Sequence, residues 1–181
     1  MLNPSQRKSL LELARQSIEG RFSNLEPSLP EDPVFQKHYG VFVSLHKNGE
    51  LRGCIGYIKG NKALGLSVVE MARAAAFRDP RFSPVSQEEL PELELEISIL
   101  GEMIPISGPQ DVQIGRDGLL LDHPRGSGLL LPQVATEWGW GPLAFVQQVC
   151  KKAGLARTTW QETETRLFRF EAEVFSENTA S

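Results

Sequence analysis

A predicted β-hairpin constrains the fold of this chain more than any other feature. Residues 39–46 are rich in β-branched and aromatic side chains, and a second run with strand character begins at Leu51. Asn48 and Gly49 lie between the two runs, and an Asn-Gly pair in that position is the strongest short-range hairpin signal. The sequence therefore predicts two antiparallel strands joined by a two-residue turn.

The second run begins with the hexapeptide LRGCIG at residues 51–56, which sets an arginine and a cysteine two residues apart. Because side chains alternate along a strand, Arg52 and Cys54 are predicted to share a face about 6.6 Å apart. The two-residue turn pairs Cys54 with Val43 and Arg52 with Leu45. A nearby guanidinium lowers the pKa of a thiol, so Cys54 is a candidate nucleophile that Arg52 activates.

The two glycines of the hexapeptide are also consistent with a functional site. A glycine inside a strand marks a bulge or a place where another backbone or a ligand approaches closely. Gly53 and Gly56 are therefore candidate substrate-binding positions. The alternative is structural, because a free cysteine is among the most buried residue types and packs as a small hydrophobe. The predicted register places Cys54 on a face with Val41 and Val43, which have core character.

A second candidate site lies at residues 78–82, where a helix rich in small residues stops. Asp79 could accept a hydrogen bond from a substrate hydroxyl, and the planar fork of Arg81 suits a carboxylate or phosphate. The alternative is an Asp–Arg pair that fixes the turn. With Arg73 and Arg78 nearby in sequence, Arg81 would form an anion site if these side chains lay close to Arg52.

A third candidate region follows at residues 122–128. His123 can act as a general base, and the glycines around it would let backbone amides face an anion. A solvated hairpin turn explains the same segment without any ligand.

Polar and aromatic side chains follow this turn. Gln133 and Glu137 are four residues apart on a predicted helix and would share a face; Gln133 is a candidate substrate-binding residue and Glu137 a candidate proton carrier. That face could also be merely solvated. Trp138 and Trp140 are predicted to pack in the core or between lobes rather than to stack on bases.

The remaining elements alternate between helix and strand. Asn3 or Ser5 can cap a first helix that Gly20 closes. A helix is predicted over 63–77, a half-buried strand over 93–99 and a final strand over 168–174. Short strands at 118–121 and 128–131 precede helices at 132–138 and 141–152. Strands joined by hairpins and mixed with helices indicate an α+β fold with a largely antiparallel sheet.

The chain resembles the AMMECR1 domain family, whose hallmark is the LRGCIG hexapeptide. The resemblance extends over nearly the whole chain, through the segments Asp79–Val85, Glu96–Leu100, Gly118–Leu121, Leu130–Ala135, Lys152–Leu155 and Phe170–Phe175. It implies an α+β fold with a largely antiparallel mixed sheet flanked by helices, and it admits a smaller second lobe. We expect a single AMMECR1-like domain over 1–175 and a disordered tail over 176–181.

Composition narrows the possible functions. A net charge of −4 and a pI near 5.5 argue against strong binding of duplex nucleic acid, which needs a clustered basic face. Two cysteines are too few for a disulfide framework, so we expect reduced thiols and a cytoplasmic protein. No apolar run is as long as a membrane-spanning helix, so we expect no membrane protein. The histidines and cysteines lack the spacing of metal ligands, and no dinucleotide fingerprint is present, so we expect no metal and no cofactor.

Three functional hypotheses follow. The first is an enzyme that uses Cys54 as a nucleophile or redox thiol, with Arg52 activating it and His123 or Glu137 carrying a proton. The second is a binding subunit, since the resemblance implies a bacterial and archaeal set (AmmeMemoRadiSam) that also contains a radical SAM protein and a Memo-like protein; such a subunit would hold a small molecule, a nucleotide or an RNA base. The third is an adaptor in which Cys54 is structural.

Overall fold

The computed structural model describes residues 2–179. These residues form two compact units, the first within Met1–Leu100 and Glu173–Ser181 and the second within Gly101–Ala172. Helices and antiparallel strands alternate along the chain, so the predicted α+β fold with a largely antiparallel sheet flanked by helices is confirmed. The extent of the single domain expected over 1–175 stays a prediction.

The first unit combines two long helices with three complete strands and the end of a fourth. Its elements are α1 (Pro4–Ser23), β1 (Gly40–Lys47), β2 (Glu50–Tyr57), α2 (Leu64–Phe77), β3 (Leu93–Leu100) and the last residues of β7 (Arg166–Ser176), with three-ten helices at Pro33–Gln36 and Gln87–Glu92. β1 lies between β2 and β3 and pairs antiparallel with both. β2 is therefore the outermost strand.

The beginning of α1 follows the sequence signal and its end does not. Asn3 is the N-cap, and it exchanges hydrogen bonds with Gln6 in a capping box. The helix continues past Gly20 to Ser23 and ends at Asn24, whose φ of 56° is left-handed. The predicted end at Gly20 was wrong because asparagine also adopts this conformation.

The core of the first unit lies between its sheet and its helices. Val41, Val43 and Leu45 on β1 are fully buried and belong to one cluster with α1 and α2. Three consecutive alanines near the end of α2, Ala74 to Ala76, are buried in the same cluster. Small side chains on this helix allow its backbone to approach the sheet closely.

The hairpin forms as predicted, but its register contains a bulge. Asn48 and Gly49 both have positive φ, which is the conformation of a two-residue hairpin turn. The register shifts between Leu45 and His46, so Gly53 pairs with Leu45 and Arg52 is the extra residue. A one-residue shift moves every later side chain to the other face of the sheet.

The predicted pairings of the hexapeptide were therefore wrong. Cys54 pairs with Ser44 instead of Val43. Ser44 in turn pairs with Glu96 on β3, so Cys54 lies in a polar row on the face opposite the core. Ile55 takes the position next to Val43 and packs against the core.

The second unit is smaller and has its own core. Its elements are β4 (Ile104–Ile106), β5 (Asp117–His123), β6 (Gly126–Leu130), α3 (Pro132–Glu137), α4 (Pro142–Lys152) and the first part of β7, with three-ten helices at Pro109–Asp111 and Thr159–Gln161. β5 pairs with β6 and β7, and α4 buries Phe145, Val146 and Val149. β4 escaped prediction because it has three residues and contains Pro105.

Most of the predicted tail is described. Ser176 is the last residue of β7, and the Glu177 carboxylate bonds the Arg15 guanidinium and the backbone N–H of Leu95. Residues 180 and 181 lie outside the described residues, so disorder there stays a prediction.

Candidate functional site

Two side chains hold the backbone of Cys54 at the open edge of β2. The Cys54 N–H donates a hydrogen bond to Asp79 Oδ2 at 2.9 Å, and Arg81 Nη2 donates to the Cys54 carbonyl at 3.3 Å. Asp79 also accepts bonds from the Arg81 backbone N–H, Nε and Nη2 at 2.7–3.0 Å. We call Asp79 and Arg81 the clasp. It satisfies peptide groups that a neighbouring strand would otherwise bond.

The Cys54 thiol faces a third polar side chain. The Ser44 hydroxyl donates a hydrogen bond to Cys54 Sγ at 3.2 Å, and the cysteine is partly exposed. The backbone and the thiol of this one residue thus contact three different side chains. Ser44 has no signal in the sequence, because a hairpin without the bulge pairs it with Gly53.

Burial dominates the electrostatics of the thiol. It raises the pKa of Cys54 because it disfavours the charged thiolate, while the Ser44 hydrogen bond and the Arg81 charge lower it. The charges of Asp79 and Glu96 add to the increase. The pKa of Asp79 is well below its usual range, chiefly because of its hydrogen bonds with Arg81. Cys54 is therefore a neutral thiol beside an ionised Asp79–Arg81 pair.

Arg52 has a different task from the one predicted. Its Nε and Nη2 bond both carboxylate oxygens of Glu89 at 3.0 and 3.1 Å, and its Nη1 bonds the Ser83 carbonyl at 2.9 Å. Lys47 Nζ lies 3.3 Å from the same carboxylate. The bonds from Arg52, followed by those from the Ser86 backbone N–H and Lys47, lower the pKa of Glu89 to about 2. We call the Arg52–Glu89 pair the clamp, because it ties the bulge of β2 to the three-ten helix at Gln87–Glu92.

The predicted activation of Cys54 by Arg52 is thus unsupported, since all three guanidinium nitrogens of Arg52 are engaged elsewhere. An anion site built from the positive charge of Arg52, Arg73 and Arg81 is likewise unsupported. Each of three arginines pairs with a carboxylate of its own: Arg52 with Glu89, Arg73 with Glu26, and Arg81 with Asp79.

The two glycines of the hexapeptide are places of close approach within the first unit. A Cβ on Gly53 would lie 2.2 Å from the Ala75 carbonyl oxygen on α2. A Cβ on Gly56 would lie 2.3 Å from the Phe42 ring and 2.4 Å from the Val41 carbonyl oxygen. Packing alone therefore requires glycine at both positions, and their substrate-binding role stays a prediction.

The other predicted site residues belong to the second unit. His123 is buried, and its Nδ1 accepts a hydrogen bond from the Arg125 backbone N–H at 3.1 Å. This bond assigns the proton to Nε2, which lies 3.2 Å from Glu162 Oε2 without the alignment of a hydrogen bond. In this conformation His123 has no free lone pair with which to act as a base.

Gln133 and Glu137 lie on α3 four residues apart, as predicted. Gln133 Oε1 is buried without a hydrogen-bond partner among residues 2–179, whereas Glu137 is exposed. Trp140 packs against the core of the second unit, but Trp138 is 69% exposed. The prediction of a core position was therefore wrong for Trp138.

Between residues 2 and 179, no group of three or more His, Cys, Asp or Glu side chains could hold a metal ion. None of the helices in the same range is both long enough and apolar enough to cross a membrane.

Comparison with known proteins gives one consistent result. The sequence model of the AMMECR1 family matches residues 11–175. A protein of Methanothermobacter thermautotrophicus is 42% identical over 98% of this chain and 97% of its own length. A protein of Thermococcus gammatolerans is 41% identical, covering 93% of this chain and 88% of its own. The crystal structure of protein PH0010 from Pyrococcus horikoshii superposes with a TM-score of 0.87 at 38% identity, covering 94% and 91% of the two chains.

Proposed function

The chain belongs to the AMMECR1 family, and we propose that it is a ligand-binding component of a modification pathway, with its pocket at Cys54. Ser44, Asp79 and Arg81 form the pocket with Cys54, and Arg81 rather than Arg52 is the guanidinium that acts on the thiol. The observation that carries the proposal is that the N–H, the carbonyl and the thiol of Cys54 each bond a different side chain. A cysteine that only filled space in a core would need none of these contacts.

The state of the thiol favours binding over nucleophilic catalysis. A nucleophilic cysteine reacts as the thiolate and needs a base within hydrogen-bond reach. Burial raises the pKa of Cys54, and the Asp79 carboxylate beside it is already engaged by Arg81 and by the Cys54 N–H. A neutral thiol can contact a ligand as a weak donor or acceptor without forming a bond to it. Catalytic roles for Cys54, His123 and Glu137 stay predictions.

Arg81 suggests the class of ligand. Its side chain is 53% exposed, and its Nη1 group bonds no residue between 2 and 179. A guanidinium with free N–H donors suits a carboxylate or a phosphate. We therefore propose a small anionic ligand, and a nucleotide is the candidate that agrees with the family resemblance.

The proposed pathway rests on the same resemblance. In this pathway, a radical SAM protein and a Memo-like protein carry out the chemistry on the ligand that this chain holds. Both cysteines are free thiols, which fits the proposed cytoplasmic setting.

The proposed pocket can be tested by asking whether adenosine monophosphate protects Cys54 from an alkylating reagent. We expect the nucleotide to slow alkylation of the wild-type protein, and to lose this effect in Arg81→Gln. Arg52→Gln is the matched control, because it removes the same charge from a side chain that bonds Glu89 and the Ser83 carbonyl instead of Cys54. Cys54→Ser should keep nucleotide binding, measured by chemical-shift changes at Ser44.

Equal alkylation with and without nucleotide, together with no shift at Ser44, would reject a nucleotide ligand. The alternative is then an adaptor in which Cys54 is structural, a function that the close packing of Gly53 against α2 favours. For an adaptor, Cys54→Ala should change only the free energy of unfolding.

A further inference from the structure

The second unit displays an exposed tryptophan on a rigid support. Trp138 stacks on Trp140, with 6.0 Å between ring centroids and an angle of 14° between the ring planes. Trp140 packs against the core of its unit, whereas Trp138 is 69% exposed. An indole that projects into solvent from a half-buried neighbour can stack on a partner with little loss of side-chain entropy.

The backbone beneath the tryptophans is fixed by hydrogen bonds. The N–H groups of Trp138, Gly139 and Trp140 donate to the carbonyls of Val134, Thr136 and Ala135 at 2.9–3.2 Å. Gly139 has a φ of 64°, which lets the chain turn so that the two rings lie parallel. The turn that carries Trp138 and Trp140 is therefore fixed by hydrogen bonds to α3.

The surroundings of Trp138 are open. A Cβ on Gly141 would meet no atom within 4 Å, and its φ of −81° does not require glycine. Gly141 is also the N-cap of α4, a position at which glycine is common. A bare backbone beside Trp140 leaves room for a partner to approach the two rings.

An unpaired acid accompanies the exposed indole. Glu137, directly before Trp138, is exposed, and its carboxylate bonds no residue between 2 and 179. An exposed carboxylate one residue from an exposed indole makes this end of α3 locally negative, which attracts a cation and repels the phosphates of a nucleic acid. A second copy of this chain is disfavoured as well, because copies with a net charge of −4 repel each other and contact between two Trp138 rings would bring two Glu137 carboxylates together.

From these observations we infer that Glu137, Trp138 and Trp140 form a docking surface for an arginine side chain presented by a partner protein. The guanidinium stacks on the outer face of Trp138 and donates hydrogen bonds to Glu137. Arginine fits better than lysine because its planar group stacks on an indole and can bond both oxygens of a carboxylate. This surface is separate from the pocket proposed at Cys54 and does not depend on it.

Titration of the full chain with an arginine peptide tests the inference. The probe is the acetylated amide Gly-Arg-Gly-Arg-Gly, and its neutral match contains citrulline in place of arginine. Three tryptophans give three indole N–H signals in the nitrogen–proton spectrum, and Trp160 serves as the internal control. We expect the arginine peptide to shift the Trp138 signal in a saturable way, and the citrulline peptide to bind about tenfold more weakly.

Two variants make the outcome decisive. Glu137→Gln should weaken binding of the arginine peptide about tenfold, and Trp138→Ala should abolish binding, read from the indole signal of the stacked Trp140. Glu102→Gln, a matched change at another exposed acid of the same unit, should have no effect. Equal shifts with both peptides would overturn the inference, as would binding that survives Trp138→Ala. A Trp138 signal that moves with protein concentration alone would identify a second copy as the occupant and would also overturn it.

Discussion

The outermost strands of the two units, β2 and β6, each contain a glycine that packs against helix backbone, but the side chains around the two strands differ. A Cβ on Gly53 of β2 would lie 2.2 Å from the Ala75 carbonyl oxygen of α2, and a Cβ on Gly128 of β6 would lie 2.6 Å from the Ala153 backbone nitrogen just after α4. In both units a helix packs on a strand so closely that only glycine fits. Glycine in such a strand is therefore a sign of packing, and it does not by itself indicate a ligand.

What distinguishes β2 is the clasp. Its Cys54 peptide bonds Asp79 and Arg81, and its thiol bonds Ser44. On β6, Ser127 is exposed and pairs in register with Asp122. Polar contacts around Cys54, rather than the glycines beside it, single out the hexapeptide as a candidate site.

Alanine at the two glycines should produce the largest effects. Gly53→Ala and Gly128→Ala each force a methyl group against helix backbone, and we expect each to cost about 3 kcal/mol of unfolding free energy. The control is Gly65→Ala on α2, where a Cβ makes ordinary contacts at 3.5 Å or more; it should be neutral or stabilise by up to about 1 kcal/mol. Urea unfolding measures all three. A loss below about 1 kcal/mol in Gly53→Ala alone would show that the two strands are not packed alike.

The clamp should give the next largest effect, and it depends on pH. In the folded protein the pKa of Glu89 falls from 4.5 to about 2. A lowered folded-state pKa gives stabilisation that is complete above pH 4.5 and is lost as the pH falls toward 2. Glu89→Gln should therefore cost about 2 kcal/mol at pH 7 and much less at pH 2.5.

Unfolding in urea at both pH values measures this difference. A residual loss of stability below pH 4 should survive in the variant, because the pKa of Asp79 is also lowered by its bonds with Arg81. The same cost at both pH values would contradict a charged clamp.

The smallest expected effect is a change in the pKa of Cys54, which should distinguish Arg81 from Arg52. Arg81 lowers the pKa of the Cys54 thiol, so Arg81→Gln should raise it further, and the midpoint of Cys54 alkylation should move to higher pH. Arg52→Gln should leave this midpoint unchanged, because Arg52 is bonded to Glu89 and Ser83. A shift in Arg52→Gln equal to that in Arg81→Gln would restore the role first predicted for Arg52.

Local signals in the sequence predicted most of the elements. The Asn48–Gly49 turn and the helix over 63–77 depend on residues close together in the chain, and both are present. The bulge at Arg52 could not be predicted in this way. Its guanidinium is held by Glu89, 37 residues further along the chain.

This single unpredicted residue changed the site. The bulge moved Cys54 from the expected partner Val43 to Ser44, and with it from the core face to a polar row. Asp79 and Arg81 were predicted as site residues from their chemistry, but their bonds to the Cys54 backbone follow from the position of β2 at an edge. Edge position is a property of the assembled sheet and has no local signal.

The pH dependence of Cys54 alkylation in the wild-type protein tests the central claim most directly. Peptide mass spectrometry reports Cys54 and the fully buried Cys150 in the same sample, so Cys150 shows whether the protein remains folded. If Cys54 is a neutral thiol whose pKa burial raises, its alkylation midpoint should lie above the value of about 8.5 for a free thiol. A midpoint well below that value would reveal an activated thiolate and would contradict the binding role proposed here.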